Sequence, residues 1–173
     1  MPINEMSIDI LLIEDHPGDA RLTQEAFADC ARPIRLHHAW DGEEAMEFLR
    51  REGRHRNDPR PSLIVLDLKL PGLSGHETLA LIKGDPNLRA IPVLVLTTSI
   101  READIFASYR LGANCHLQKP AEWDAFQSLI STMDRFWFTR AKLPQQMDPG
   151  TWGRSLVDRR KSSAPWMWKD ATD

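Results

Sequence analysis

The chain has 173 residues, which suits one domain of ordinary size with an appendage and argues against two full domains. Its formal net charge of -3 argues against a nucleic-acid-binding surface. No apolar run approaches the roughly 20 residues needed to span a membrane, and residues 1–7 do not resemble a secretion signal. Cys30 and Cys115 lack metal-ligand spacing, so a reducing, cytoplasmic setting is expected.

Apolar runs of strand length alternate five times with segments of helical periodicity. The predicted strands are 8–13, 34–40, 62–67, 92–97 and 113–117. The predicted helices are 19–28, 43–51, a third that begins near residue 75, 102–111 with Gly112 in a C-cap position, and 122–140. This alternation predicts an α/β fold with a doubly wound, five-stranded parallel sheet in the order 2-1-3-4-5.

Polar side chains follow four of the predicted strands. Glu14 and Asp15 follow the first strand, Asp67 ends the third, Thr97 ends the fourth, and Lys119 comes just after the fifth. Because the carboxyl ends of parallel strands share one edge of a sheet, these side chains are expected to meet in one crevice.

Phosphoryl transfer to a carboxylate is the chemistry that such a crevice favours. A carboxylate that attacks phosphorus must overcome repulsion between two anions, so it needs a divalent cation and donor groups near the transferred oxygens. The three carboxylates offer hard oxygens suited to Mg²⁺, while Thr97 offers a hydroxyl and Lys119 an ammonium group. Asp67, at the centre, is the predicted nucleophile, and an aspartyl phosphate is the predicted product.

These positions resemble the receiver domains of two-component response regulators. The resemblance covers residues 8–140 and rests on Glu14-Asp15, Asp67-Leu68-Lys69-Leu70-Pro71 with Gly75, Thr97-Thr98-Ser99 and Lys119-Pro120. It implies a flavodoxin-like receiver fold and a signalling switch rather than an enzyme, with Asp67 as the phosphoacceptor. It also implies that Asp15 and Asp67 bind Mg²⁺ directly, that the backbone carbonyl of Lys69 is a third ligand, and that Glu14 acts through a metal-bound water.

The same resemblance implies how the switch responds. Thr97 is expected to move toward the phosphoryl group, Lys119 to pair with it, and the Lys119–Pro120 peptide bond to be cis. His116 stands where the family usually has Tyr or Phe; it either swings inward as a switch residue, with sensitivity to pH, or only fills a position on an edge strand. The side chain of Lys69 is expected to face solvent.

A narrower resemblance is to the small regulators paired with bacterial and cyanobacterial phytochromes. It rests on residues 14–22, 60–68, 96–99, 114–115 and 136–137. It implies a phytochrome-like sensor histidine kinase as phosphodonor and commonly a homodimer, for which the surface from the fourth helix to the fifth and the C-terminal arm are candidates. Charge and the lack of a long apolar run argue against a nucleic-acid or membrane partner. Kinase docking is expected on the first helix.

The predicted organisation is an N-terminal extension over 1–7, a receiver domain over 8–140 and a C-terminal arm over 141–173. No DNA-binding domain is expected after the receiver, so output is expected through protein contact or onward phosphotransfer. Trp152, Trp166 and Trp168 suggest that the arm docks on the body or on a partner. A flexible tail with incidental tryptophans is the alternative.

Two other functions stay open at this point. A hydrolase with an aspartyl-phosphate intermediate uses similar residues, but such enzymes usually carry a second acid two residues after the nucleophile, where this chain has Lys69. An adaptor that keeps the fold without phosphorylation is the other; the intact acidic pair, Asp67, Thr97 and Lys119 argue against it. Absence of Mg²⁺ binding would favour the adaptor.

Overall fold

A computed structural model describes residues 7–144 of the chain, and the predicted alternation of strands and helices is present there. Within that range, strands β1 to β5 span Ile8–Ile13, Ile34–Ala39, Leu63–Leu66, Val93–Thr97 and Cys115–Gln118. Helices α1 to α5 span Pro17–Ala28, Gly42–Arg50, Gly75–Gly84, Glu102–Arg110 and Trp123–Met133. A short 3-10 helix lies at Gly53–His55, and a π-helix at Asp134–Arg140 continues α5.

The five strands form one parallel sheet in the order β2-β1-β3-β4-β5, which confirms the predicted topology. Every residue of β3 and β4 is buried, as expected for central strands covered by helices on both faces. The edge strands β2 and β5 are partly exposed. The register places Ile13 beside Leu66 and Leu66 beside Val95, so β1, β3 and β4 end at one edge of the sheet.

Two hydrophobic clusters pack on opposite faces of the sheet. One is formed with α2 and α3 and includes Leu11, Ile64, Val95, Leu49 and Leu79. The other is formed with α1 and α5 and includes Ile10, Val65, Leu94, Phe27 and Ile130. Because strand side chains alternate between faces, each of the central strands supplies both clusters, and this anchors the strand ends that carry polar groups.

Helix α1 begins two residues before its predicted start. His16 is its N-cap, with Nδ1 accepting a hydrogen bond from the amide of Asp19 at 3.2 Å, and Pro17 occupies the first turn. This start places Asp19 in the first turn of the helix, close to the end of β1.

The last predicted helix, 122–140, divides into α5 and the π-helix. Asp134 and Phe138 are both buried in the π-helix, and the ring of Phe138 lies 6.3 Å from that of Phe27 on α1. An oxygen of Asp134 accepts a hydrogen bond from the amide of Ala31 at 3.2 Å. The π-helix therefore keeps the end of the domain packed against α1.

One expectation was wrong and others fall outside the described residues. The described range has no cis peptide bond, so Lys119–Pro120 is trans, the form that an X-Pro bond favours by about 0.5–1 kcal/mol. The predicted roles of Trp152, Trp166 and Trp168, and most of the predicted extension and arm, lie outside residues 7–144.

Candidate functional site

Three strand ends bring Glu14, Asp67 and Lys119 into direct contact. The ammonium Nζ of Lys119 donates to Glu14 Oε2 at 2.5 Å and to Asp67 Oδ2 at 3.0 Å. All three residues are buried, with Asp67 only 6% exposed. Buried charges of this kind require close partners, so the crevice is a genuine charge cluster and not an incidental surface pairing.

A third carboxylate, that of Asp19, completes the surroundings of Lys119. Asp19 Oδ2 accepts from Lys119 Nζ at 2.9 Å, so the three N–H bonds of the ammonium group each have a carboxylate partner. The sequence reasoning did not assign Asp19 to the site, because an acid in the first turn of a helix is also a common helix-stabilising feature. Its position in the first turn of α1, four residues after Asp15, is the signal that would have found it.

Burial and these ion pairs shift the ionisation of the cluster. Burial alone would lower the pKa of Lys119, but the charges of Asp67 and Glu14, and the hydrogen bonds that Lys119 donates to Glu14 and Asp19, outweigh it and hold that pKa well above the usual value. Burial raises the pKa of Glu14 despite the opposing effect of Lys119. At Asp19 burial also acts to raise the pKa, but the combined effects of Lys119 and His16 outweigh it and lower that pKa. The cluster therefore holds a firmly protonated lysine.

Glu14, Asp15 and Asp67 form a group with the composition of a divalent-cation site. One oxygen from each lies within 4.8 Å of the others, and Asp15 is the exposed member. Hard carboxylate oxygens suit Mg²⁺ or Mn²⁺, so the residues fit the cation that the sequence predicts. The amide of Lys69 lies 3.3 Å from Asp67 Oδ1, which sets the Asp67 side chain against the following loop.

Thr97 and Thr98 lie differently at the end of β4. Thr97 is fully buried; its Oγ1 is 3.4 Å from the amide of Ser99, and its carbonyl accepts from the amide of Lys119 at 2.8 Å. Thr98 is exposed and accepts a hydrogen bond from Lys69 Nζ at 2.9 Å. Lys69 is exposed, as expected, but its side chain also links the loops after β3 and β4.

Gly75, at the start of α3, packs against the backbone beside Asp67. Its amide donates to the carbonyl of Leu68 at 3.0 Å. A Cβ at this position would lie 2.3 Å from the Asp67 carbonyl oxygen and 2.4 Å from the Cα of Leu68. Only glycine permits this approach without displacing the loop that carries Asp67.

His116 takes part in a polar network centred on Ser108 of α4. Ser108 Oγ donates to the carbonyl of Asp104 at 2.7 Å and lies 3.1 Å from His116 Nδ1 and 3.3 Å from His76 Nε2. Because the hydroxyl proton goes to Asp104, Ser108 accepts from both imidazoles, and His116 carries its proton on Nδ1. His116 Nε2 is buried and has no hydrogen-bond partner within residues 7–144.

The same network reaches the loop that follows Thr97. Ser99 Oγ donates to Asp104 Oδ2 at 2.5 Å. This bond, with smaller contributions from Arg101, His76 and His116, lowers the pKa of Asp104 below its usual value. The loop after β4, the first turn of α4 and His116 on β5 are thus connected by hydrogen bonds.

A groove of about 470 Å³ opens beside Lys119, between α1 and the β5–α5 loop. Leu22, which is 44% exposed, lies along one side, and Pro120 and Trp123 lie along the other. The groove gives a partly apolar surface next to the charge cluster. Within the described part of the chain, no helix is both long and apolar enough to cross a membrane.

Comparison with known proteins shows the family to which the chain is related. The response regulator receiver domain matches residues 10–131. Response regulator Rcp1 of Synechocystis sp. is 44% identical over 135 residues, covering 78% of this chain and 92% of Rcp1.

Two solved structures have the same fold and a similar sequence. The phosphorylated cyanobacterial phytochrome response regulator RcpA is 46% identical, with a TM-score of 0.77, covering 80% of this chain and 99% of RcpA. The Mn²⁺-bound form of Rcp1 is 43% identical, with a TM-score of 0.75, covering 79% of this chain and 99% of that chain. With the fold, the acidic group and the lysine in the expected places, the chain belongs to the response regulator receiver family.

Proposed function

We propose that this protein is a response regulator that accepts a phosphoryl group on Asp67 from a histidine kinase. The observation that carries the proposal is the buried Asp67 carboxylate, bonded to Lys119 and grouped with Glu14 and Asp15. The match to the receiver family over residues 10–131 supports it.

In the proposed reaction an Asp67 carboxylate oxygen attacks the phosphorus of a phosphohistidine. A new P–O bond forms, the P–N bond breaks, and the imidazole leaves with the electron pair. Lys119, already 3.0 Å from Asp67 Oδ2, offsets the negative charge on the transferred oxygens. The hydroxyl of Thr97 supplies a donor to the same group after a local movement, since it is buried in this structure.

Mg²⁺, when bound, supplies the further positive charge that brings two anions together. Asp15, Asp67 and the carbonyl of Lys69 would hold it directly, and Glu14 would act through a water. The clustered oxygens of Glu14, Asp15 and Asp67 support the carboxylate part of this set. The relative solved with Mn²⁺ supports a divalent cation in general.

The proposed response runs from Thr97 to His116. A movement of Thr97 shifts Ser99, whose amide lies 3.4 Å from Thr97 Oγ1, and the bond of Ser99 to Asp104 leads to Ser108 and His116. A hydrogen-bonded histidine thus does in this chain what the usual aromatic residue does in the family. The buried Nε2, which has no hydrogen-bond partner within residues 7–144, supports this role, because a partner for it would be found in another rotamer.

The proposed partners follow from two exposed surfaces and from the relatives. A phytochrome-type kinase is the proposed donor, since RcpA is described as a phytochrome response regulator, and the groove at Leu22 is its proposed docking surface. Phe106 and Tyr109 of α4, which are 64% and 50% exposed, supply a candidate surface for a homodimer. The two free cysteines suit a cytoplasmic location.

Labelling with a small acyl phosphate and Mg²⁺ tests the phosphoacceptor. We expect the mass to increase by one phosphoryl group, peptide analysis to locate it at Asp67, and Asp67→Asn to remove it. Asp58→Asn is a matched control, because Asp58 pairs with His55 outside the crevice. Undiminished labelling of Asp67→Asn, or many turnovers of phosphate release from a small phosphate ester, would contradict the proposal.

A further inference from the structure

Asp19 differs from the other two carboxylates on Lys119. Glu14 and Asp67 belong to the group suited to a divalent cation, whereas within residues 7–144 Asp19 is bonded to Lys119 without belonging to that group. Glu14 and Asp67 come from strand ends, but Asp19 comes from α1. The lysine is therefore held from two directions.

The anchoring of Asp19 is itself well defined. Its amide donates to His16 Nδ1, its carbonyl accepts the hydroxyl of Thr23 at 2.8 Å, and its Oδ1 lies 3.2 Å from His16 Nδ1. The start of α1 thus fixes the backbone of this residue, and the bond from Lys119 Nζ to Oδ2 holds its side chain. With its side chain 34% exposed, Asp19 lies at the rim of the crevice, and the buried partners of Lys119 lie below it.

An ammonium group has only three N–H bonds, and in this structure all three point to carboxylates. A phosphoryl group on Asp67 needs at least one of them. Phosphorylation and cation binding engage Asp67 directly and Glu14 through a water, so the bonds that Lys119 donates to these two residues are the ones that must rearrange. The bond to Asp19 can persist, and it keeps the long, flexible lysine side chain from leaving the crevice.

We propose that Asp19 is a positioning residue for phosphorylation: it holds the Lys119 ammonium in the crevice while Glu14 and Asp67 engage the cation and the phosphoryl group. The inference rests on the proposed phosphorylation of Asp67 and adds a residue that acts through Lys119. The first turn of α1, which carries Asp19, would then help to place the Lys119 ammonium group in the crevice.

Asp19→Asn tests the inference, because it keeps the shape of the side chain and removes its charge. The full chain is incubated with Mg²⁺ and acetyl phosphate over a range of donor concentrations, and labelling of Asp67 is followed by mass. We expect the maximum rate to fall about tenfold, since a displacement of about 1 Å can cost up to about 100-fold. Asp19→Glu is expected to restore much of the rate.

Glu25→Gln is the matched control. Glu25 lies on the same helix and pairs with Arg21 at the surface, so this variant removes the same charge without touching Lys119. We expect its maximum labelling rate to stay within about twofold of wild type, because exposed ion pairs contribute little free energy. A loss as large as that of Asp19→Asn would mean that net charge, and not the contact, matters.

A double-mutant cycle separates positioning from a general loss of structure. Lys119→Met removes the ammonium and keeps an unbranched side chain, and in this background Asp19→Asn is expected to have no further effect on labelling. A second readout needs neither cation nor donor: ¹⁵N spectra of the lysine ammonium groups should show a protected signal for Lys119 in wild type that Asp19→Asn loses.

The outcomes distinguish the inference from the function on which it rests. Absence of label on Asp67 in wild type would overturn the proposed function. Normal wild-type labelling with Asp19→Asn unchanged or faster, or additive losses in the cycle, would overturn the role of Asp19 alone.

Discussion

Cys30 shows how the surroundings of a single side chain control its reactivity. Burial, together with the carboxylates of Asp134 and Asp29, raises the pKa of the Cys30 thiol from 9.0 to about 11. The folded state therefore favours the neutral thiol. The contribution of the neutral Cys30 thiol to the stability of the folded protein is fully present below pH 9. It is lost as the pH rises through about 11, because ionisation of the thiol then favours the unfolded chain.

We predict that Cys30 reacts slowly with iodoacetamide in the native protein. Each pKa unit changes the thiolate fraction about tenfold, so at about pH 8 the native rate should be roughly 100-fold below that of the unfolded chain. Peptide mass analysis of alkylation against pH measures this, with the urea-unfolded protein as control. A native rate with its midpoint near pH 9, where a free thiol ionises, would contradict the prediction.

At the scale of elements, the β3–α3 connection depends on one close approach. The amide of Gly75 bonds to Leu68, and any Cβ there would lie 2.3 Å from the carbonyl oxygen of Asp67. The residue that begins α3 therefore also determines where the proposed phosphoacceptor lies.

We predict that Gly75→Ala destabilises the protein by about 2–3 kcal/mol, because it forces the backbone apart, and that it slows labelling of Asp67. Urea unfolding and mass analysis measure the two effects. Gly84→Ala is the control: at the other end of α3 an added Cβ would meet no atom of residues 7–144 within 4 Å, so this variant should be neutral or slightly stabilising. Equal stability of both variants would show that the loop tolerates a side chain.

The sequence predicted the elements well, and the differences have local causes. β2 was predicted to reach residue 40 but ends at Ala39, since the amide of Trp40 donates to the carboxylate of Glu44. β5 was predicted to begin at 113 but begins at Cys115, because the amide of Ala113 bonds to the carbonyl of Ser108 at the end of α4. A side chain or a helix end can accept the hydrogen bond that such an amide would otherwise donate within the sheet. The pattern of apolar residues does not predict which of the two forms.

The site was predictable where it depends on strand order alone. Glu14, Asp67 and Lys119 meet because strand ends share an edge. Asp19 was missed because its direction depends on the rotation of α1, and the contact of His116 with Ser108 depends on how α4 packs against β5. The rotation of a helix about its axis is set by tertiary packing, and packing is only weakly predictable from a single sequence.

For the whole molecule, the π-helix after α5 closes one face of the domain. Phe138 is 3% exposed and lies against Phe27, whereas Phe136, two residues earlier, is 57% exposed. The same short segment thus carries one side chain that belongs to the core and one that does not.

We predict that Phe138→Ala lowers the free energy of unfolding by about 3–4 kcal/mol, as expected when a buried aromatic ring is removed. Phe136→Ala should change it by no more than about 0.5 kcal/mol, because the side chain is largely in water. Chemical denaturation of both variants measures the difference. Similar losses would mean that the segment contributes through its backbone and not through the packing of Phe138.

Lys119 is joined to Glu14 across 105 residues and to Asp67 across 52 residues of chain. During synthesis, at about 5–20 residues per second, Asp67 therefore leads its cation by roughly 3 to 10 s. Before β5 joins the edge of the sheet, the growing chain carries the clustered carboxylates without the ammonium group that pairs with them. The charge cluster is therefore complete only after β5 has been made and has joined the edge of the sheet.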